Sequence, residues 1–397
     1  MTKKNKFGIA AYPDLSSFEK IEDYFALASK YGCTDVFSSV LSVEGTKDEV
    51  VDYFSKFDKL AHKYNLDVTL DLNPHYLQKL GVDPQDLSLF AEIECDCVRM
   101  DVSYGKENDL KIVNNPYGIR LCLNASTSIE DELQFFIDNN VDKERLFLGH
   151  NSYPQRYTGL KWQKFIETNK ALSKYGFDIA AAVSSNAKET TAFWNAIYGV
   201  PTVERMRYYP IDLQARLLIA SGNIKEVFIS NMYASEKEFE KLAEVLADPK
   251  PIKESPLYIP FKEYGIELPE IQNEKRIRVV LDDNATDIEK NMVLNFYPQV
   301  NDGDSSEWII RSRMGRYLQE GRPIPPRHTD GEYFELGSVL IVNDSFKHYA
   351  GEVQIACLPI VNDGTRNLVG RLADNEMDMV ELFNDGDVIT FLPYEKY

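Results

Sequence analysis

Cysteine and histidine are scarce, at five of each in 397 residues. The cysteines (Cys33, Cys95, Cys97, Cys122 and Cys357) are odd in number and follow no disulfide-framework spacing. Cys95-x-Cys97 is too tight for a CxxC redox or zinc motif, so all five read as free thiols of a reducing cytoplasm. The histidines are scattered, with no HExxH and no paired metal spacing, and neither a metal nor a cofactor is expected. No apolar run approaches the roughly 20 residues that span a bilayer. The basic start is followed only by FGIAAY before Pro13 and Asp14 intervene. That is too short for the apolar part of a signal sequence and reads as a first strand. A glycine-rich phosphate loop, a GxSxG elbow and a kinase signature are all missing. Positive charge is short as well: 44 Lys and Arg stand against 63 Asp and Glu, for a net charge of −19. Such a surface repels phosphate backbones, so neither nucleic acid nor a membrane is expected as a partner. A small anion needs only a local cluster of donors and stays open.

What is present is an ordinary globular mix, 44% apolar and 27% charged, in a length suited to one large and one smaller domain. The first 250 residues alternate short apolar strands with amphipathic helices. Tyr31-Gly32, Tyr64-Asn65 and Tyr175-Gly176 each end a helix on a residue that tolerates positive φ, just before an apolar strand. Ser16-x-x-Glu19, Thr46-x-x-Glu49, Thr127-x-x-Glu130 and Ser235-x-x-Glu238 fit the capping box that starts a helix. Eight strands are expected, at 7–12, 35–41, 67–72, 97–101, 119–124, 145–150, 178–183 and 226–231. Eight strand–helix units in about 250 residues fit a (β/α)₈ barrel. An open doubly wound sheet would place a glycine-rich turn where Tyr12-Pro13-Asp14 stands. The expected division is a catalytic barrel over 1–247, a linker over 248–270 carrying five prolines, and a mostly antiparallel β domain over 271–397.

Barrel enzymes carry their chemistry at the C-terminal strand ends. Those positions hold Tyr12, Ser38, Ser39, Glu44, Asp71, Asn73, Arg99, Asp101, Asn124, His150, Asn151, Asn186, Asn231 and Tyr233. No lysine is among them, which argues against a Schiff-base aldolase. Asp71 and Asp101 end neighbouring strands, and two carboxylates close together are the minimum equipment of glycoside hydrolysis. The competing reading is that each caps its loop, or that Asp101 simply pairs with Arg99. The run HNSYPQRYTGL at 150–160 gathers a histidine, amides, an arginine and tyrosines in one loop, the chemistry that holds sugars. His150, Asn151, Tyr153, Gln155 and Tyr157 are its candidate binding residues, with Tyr12, Asn124 and Asn231 from other strand ends. Trp162 and Trp194 are further stacking candidates, although core packing suits either equally. In the second domain, Arg311 and Arg313 share one strand face and could clamp a phosphate or carboxylate, or form ion pairs.

With those residues assembled, the chain resembles the bacterial 6-phospho-N-acetylmuramidase family. The likeness runs through GIAAYP near the start, Arg99-Met-Asp101, Asn115-Pro-Tyr-Gly118, Asn124-Ala-Ser126 and, above all, HNSYPQRYTG at 150–159. Gln214-Ala215, Asn231-Met-Tyr-Ala-Ser235, Ile310-Arg-Ser312, Gly351-Glu-Val-Gln-Ile355 and Asn367-Leu-Val-Gly370 extend it into the C-terminal part. The resemblance implies a (β/α)₈ barrel followed by a cyclophilin-like β domain, and a cytoplasmic glycosidase of cell-wall recycling. The implied substrate is a phosphorylated amino-sugar disaccharide, 6-phospho-N-acetylmuramic acid linked to N-acetylglucosamine. A homodimer is the assembly expected. After strand seven the chain departs from the family's usual GPWPxxEGLPTLExHR: Tyr198 stands where glutamate is usual, and Met206 where histidine is. The alternatives left open are a metal-dependent phosphosugar isomerase or epimerase using Asp71, Asp101 and His150, and a sugar-phosphate-binding protein whose site has decayed.

Overall fold

The computed structural model describes residues 5–40, 43–193, 197–247, 262–263, 265, 274–295, 299–301, 303–313, 315–318 and 322–394. Trp194 and nearly all of the proline-rich stretch lie outside them. Contacts divide the chain into two compact units, 1–247 and 248–397.

The first unit is a closed barrel of eight strands. These are β1 (Lys6–Ala10), β2 (Asp35–Ser39), β3 (Asp67–Leu72), β4 (Cys97–Met100), β5 (Arg120–Asn124), β6 (Leu146–Gly149), β7 (Ile179–Val183) and β8 (Glu226–Ile229). Each pairs in parallel with the next, and β8 returns to β1 through Phe7↔Val227 and Ile9↔Ile229. Alternation decides which side chains see the interior: Phe37, Thr69, Asp71, Arg99, Cys122 and Phe228 line it. Ile9, Val36, Val68, Leu70, Val98 and Leu121 sit one position out of phase and are fully buried.

The positive-φ residues at the helix ends are as the sequence indicates: Gly32 (87°), Asn65 (59°) and Gly176 (75°). Two of the four expected capping boxes form, at Thr46 and Ser235. The other two do not. Ser17 caps the first helix by accepting from Lys20 N, and the Ser16 hydroxyl pairs instead with Tyr233. Thr127 donates to the Asn124 carbonyl, leaving Ile129 as an uncapped helix start. In both places the hydroxyl satisfies a partner at the barrel's C-terminal rim rather than the helix.

The second unit is a seven-stranded, mostly antiparallel sheet. Its order is β10 (Gln299–Val300), β17 (Val388–Pro393), β9 (Glu274–Leu281), β16 (Arg366–Leu372), β13 (Ser338–Val342), β14 (Val353–Ala356), β11 (Ile309–Ser312). The β9–β17 pair is parallel. A short ribbon of β12 (Tyr333–Phe334) and β15 (Ile360–Val361) lies apart from this sheet. Phe334, Leu340 and Leu368 pack together beneath it, with Ile360 against them. Thr286 and Glu289 form a third capping box, at the start of the helix Asp287–Leu294.

Candidate active site

The barrel interior holds a cavity of about 540 Å³ that opens among the loops at the C-terminal strand ends and reaches down to Gly8, Asp35 and Glu226. Small inward residues (Gly8, Thr69, Cys122, Gly149 and Ala180) leave a space that larger side chains fill in most barrels.

Asp71 and Asp101 both line this cavity, as the strand ends indicate. They differ sharply in environment. Asp71 is largely buried, and its Oδ1 accepts no hydrogen bond. Burial, only partly offset by Arg99, pushes its carboxyl up to about 6. Asp101 is half exposed and forms a close ion pair with Arg99 Nη1. The same guanidinium atom lies 3.7 Å from Asp71 Oδ1, and Nη2 donates to the Asn151 amide oxygen. Arg99 therefore bridges the two carboxylates and ties them to the loop after β6. Asp101 pairs with Arg99 and also faces the cavity.

His150 is 1% exposed, and both of its ring nitrogens are engaged. Nε2 donates to Asn169 Oδ1 at 2.8 Å, and Nδ1 accepts from the Ser126 hydroxyl at 3.1 Å. Ser126 Oγ in turn accepts from Asn151 N at 3.0 Å. Burial pulls the imidazole down to about 4, so it is neutral near pH 7. Its geometry is that of a brace for Asn151, one step removed from Arg99. Ser126 and Asn169 were not legible as parts of this chain, because their codes and positions match any ordinary loop or helix.

The remaining candidates divide by location. Tyr12, Asn151 and Tyr153 line the cavity, and the Tyr12 hydroxyl donates to Ser230 O at 2.9 Å. Asn124 is buried and spans Asp101 O and Ser126 N. Asn231 is buried against Ser184 and Ser185. Gln155 and Tyr157 stand out on the rim, Tyr157 at 84% exposure. In the second unit Arg311 holds Glu352 through two hydrogen bonds of 2.8 and 2.7 Å, and Arg313 pairs with Asp304 at 3.1 Å.

The loop 150–160 is clamped by a residue the sequence did not single out. Arg207, 1% exposed, donates to the carbonyls of Tyr153, Gly199 and Gln155 and pairs with Glu204 at 2.6 Å. Glu204 accepts from the backbone of Tyr157 and Gly159, and Arg207 with these donors holds it down at about 2. Glu204 is thus an anchor. At the other end of the cavity Asp35 and Glu226 open β2 and β8. Burial, and then Asp35, raises the Glu226 carboxyl. Reading only C-terminal strand ends passes over both. Among the described residues, no group of three or more His, Cys, Asp or Glu side chains is placed to hold a metal ion.

A closed parallel barrel with a polar cavity at its C-terminal strand ends is the framework of a large class of enzymes. Sequence comparison narrows it. The N-terminal model of 6-phospho-N-acetylmuramidases matches residues 7–244 and the C-terminal model residues 275–392. The chain belongs to that family and is a glycosidase. A B. cereus protein described as uncharacterized is 30% identical, with a TM-score of 0.82 over 98% of this chain and 99% of that one. A conserved Enterococcus faecalis protein of unknown function shares the fold at 20% identity, with a TM-score of 0.67 over 98% and 96%. No curated protein matches the chain by sequence.

Proposed function

We propose that the chain hydrolyses a 6-phosphorylated amino-sugar glycoside of the 6-phospho-N-acetylmuramyl–N-acetylglucosamine type, in the cytoplasm, during cell-wall recycling. The observation that carries the reading is the contrast between Asp71 and Asp101 across one guanidinium. Asp71, buried and raised to about 6, is the general acid that protonates the leaving oxygen. Asp101, held as an ion pair on the open side, serves as nucleophile or base. Burial, which Arg99 only partly offsets, sets Asp71 apart and leaves it a proton to donate.

Asn151 and Tyr153 would contact the sugar in the cavity, with the ring of Tyr12 as a wall. His150, itself on the cavity wall, braces Asn151 through Ser126, and Asn124 holds the Asp101 carbonyl. No helix among the described residues is long and apolar enough to cross a membrane. The test is direct. Purified protein should release N-acetylglucosamine from the phosphorylated disaccharide and leave the dephosphorylated one intact. Release from both at equal rates would remove the phosphate from the proposal, and release from neither would remove the glycoside.

A further inference from the structure

Outside the cavity, the loops after β6 and β7 carry a cluster that the chemistry above does not use. The Arg156 guanidinium lies over the Tyr198 ring, 3.7 Å from its centroid. The Tyr208 hydroxyl lies near enough to raise the guanidinium's affinity for its proton. Tyr208 is 61% exposed and Tyr198 41%, although tyrosine usually buries much of its ring. Beside them Tyr157 is held at a φ of 71°, a conformation unfavourable for a bulky side chain, by its backbone bond to Glu204. The Arg207–Glu204 pair beneath joins the two loops, bonding 153–159 on one side and 199 on the other. Exposed rings on a rigid footing lose little freedom when a ligand stacks on them.

Position supplies the rest. Ser152 and Tyr153 line the cavity, and Arg156 follows three residues later on the same rim. A glycosidic bond has two sides. With one sugar in the cavity beside Asp71, the other lies toward the C-terminal rim, to which these loops belong. Tyrosine faces suit the C–H surface of a pyranose, and the guanidinium suits its hydroxyls or an anionic substituent.

We infer that Arg156, Tyr198 and Tyr208 form an outer subsite for the pyranose on the leaving-group side of the scissile bond, an inference that rests on the glycosidase reading above. The test compares Arg156→Ala, Tyr208→Ala and Tyr208→Phe with wild type on two substrates: the phosphorylated disaccharide and the 4-nitrophenyl glycoside of the same phosphosugar. Thermal unfolding confirms that each variant is folded. For the two alanine variants KM for the disaccharide should rise about tenfold, the worth of one lost stacking or cation contact. Their kinetics on the aryl glycoside should stay within about twofold, and Tyr208→Phe, which keeps the ring, should resemble wild type. Equal losses on both substrates would mean that the cluster only props the loop, and no loss on either would end the subsite. If wild type turns over neither substrate, the glycosidase reading fails by itself. The subsite is then judged by titrating an N-acetylglucosamine disaccharide into wild type and Tyr208→Ala. Saturable binding that weakens about tenfold in the variant keeps it, and absence of binding overturns it.

Discussion

Arg99 Nη1 stands 3.7 Å from Asp71 Oδ1 while the same group closes onto Asp101, so one cation is shared unequally by two carboxylates. Asp71 receives the smaller part and carries the cost of burial. Its folded-state carboxyl, about 6, lies above its ordinary value of 3.8. The folded protein therefore holds this proton more tightly than the unfolded chain does. The resulting stability is fully present below 3.8 and is lost as pH rises through about 6. Asp71→Asn has nothing to titrate. Relative to wild type it should gain roughly 2–3 kcal/mol between acid and neutral pH, read from denaturant unfolding at each pH. In wild type the alkaline limb of the kcat/KM profile should fall near pH 6, where the acid form of Asp71 is lost.

His150 should leave no titration between pH 5 and 8 in that profile, because its ring stays neutral down to about 4. His150→Phe keeps an aromatic volume but strands Ser126 and Asn169. It should cost about 1–3 kcal/mol of stability and lower kcat more than KM, because Asn151 and hence Arg99 lose their brace. A variant that loses stability yet keeps wild-type kcat would show that the chain from His150 to Arg99 is only structural.

Arg207→Ala removes the clamp of the 150–160 loop, leaving Glu204 without its cation and three carbonyls without this donor. A loss of about 3–5 kcal/mol is expected. Arg207→Lys should not restore it, since an ammonium cannot reproduce the fork of bonds. Glu204 lies below its usual value, so its contribution is present above 4.5 and fades as pH falls through about 2.

Arg311 and Arg313 should separate in stability. Arg311→Ala strands Glu352, which is 1% exposed, and should cost about 3–5 kcal/mol. Arg313 pairs with the exposed Asp304, and Arg313→Ala should cost under about 1 kcal/mol.

The barrel was legible in the sequence because its strands are short apolar runs between helices that end on Gly or Asn, and a parallel closed sheet repeats that unit eight times. That Asp71, Asp101 and Asn151 line one cavity was legible because strand ends map onto one rim, and Tyr153 followed from the run after β6. What stayed hidden was the division of labour. Whether His150 faces a ligand or a neighbour depends on Asn169, nineteen residues away in another element. Ser16 and Thr127 matched a helix-start pattern, yet the Ser16 hydroxyl pairs with the distant Tyr233 and Thr127 turns back to the Asn124 carbonyl. Arg207 lies in a loop with no periodicity, and only the fold brings Tyr153, Gly199 and Gln155 around it. Local rules cannot weigh such partners.

The most direct test of the carboxylate assignment is the response of Asp71→Asn and Asp101→Asn to leaving-group quality. On the natural disaccharide each should lower kcat by on the order of 10²–10⁴-fold. On a 4-nitrophenyl glycoside, which departs without protonation, Asp71→Asn should recover much of its rate and Asp101→Asn should not. Recovery by Asp101→Asn alone would reverse the two roles, and near-normal turnover of the disaccharide by either folded variant would contradict the carboxylate pair itself.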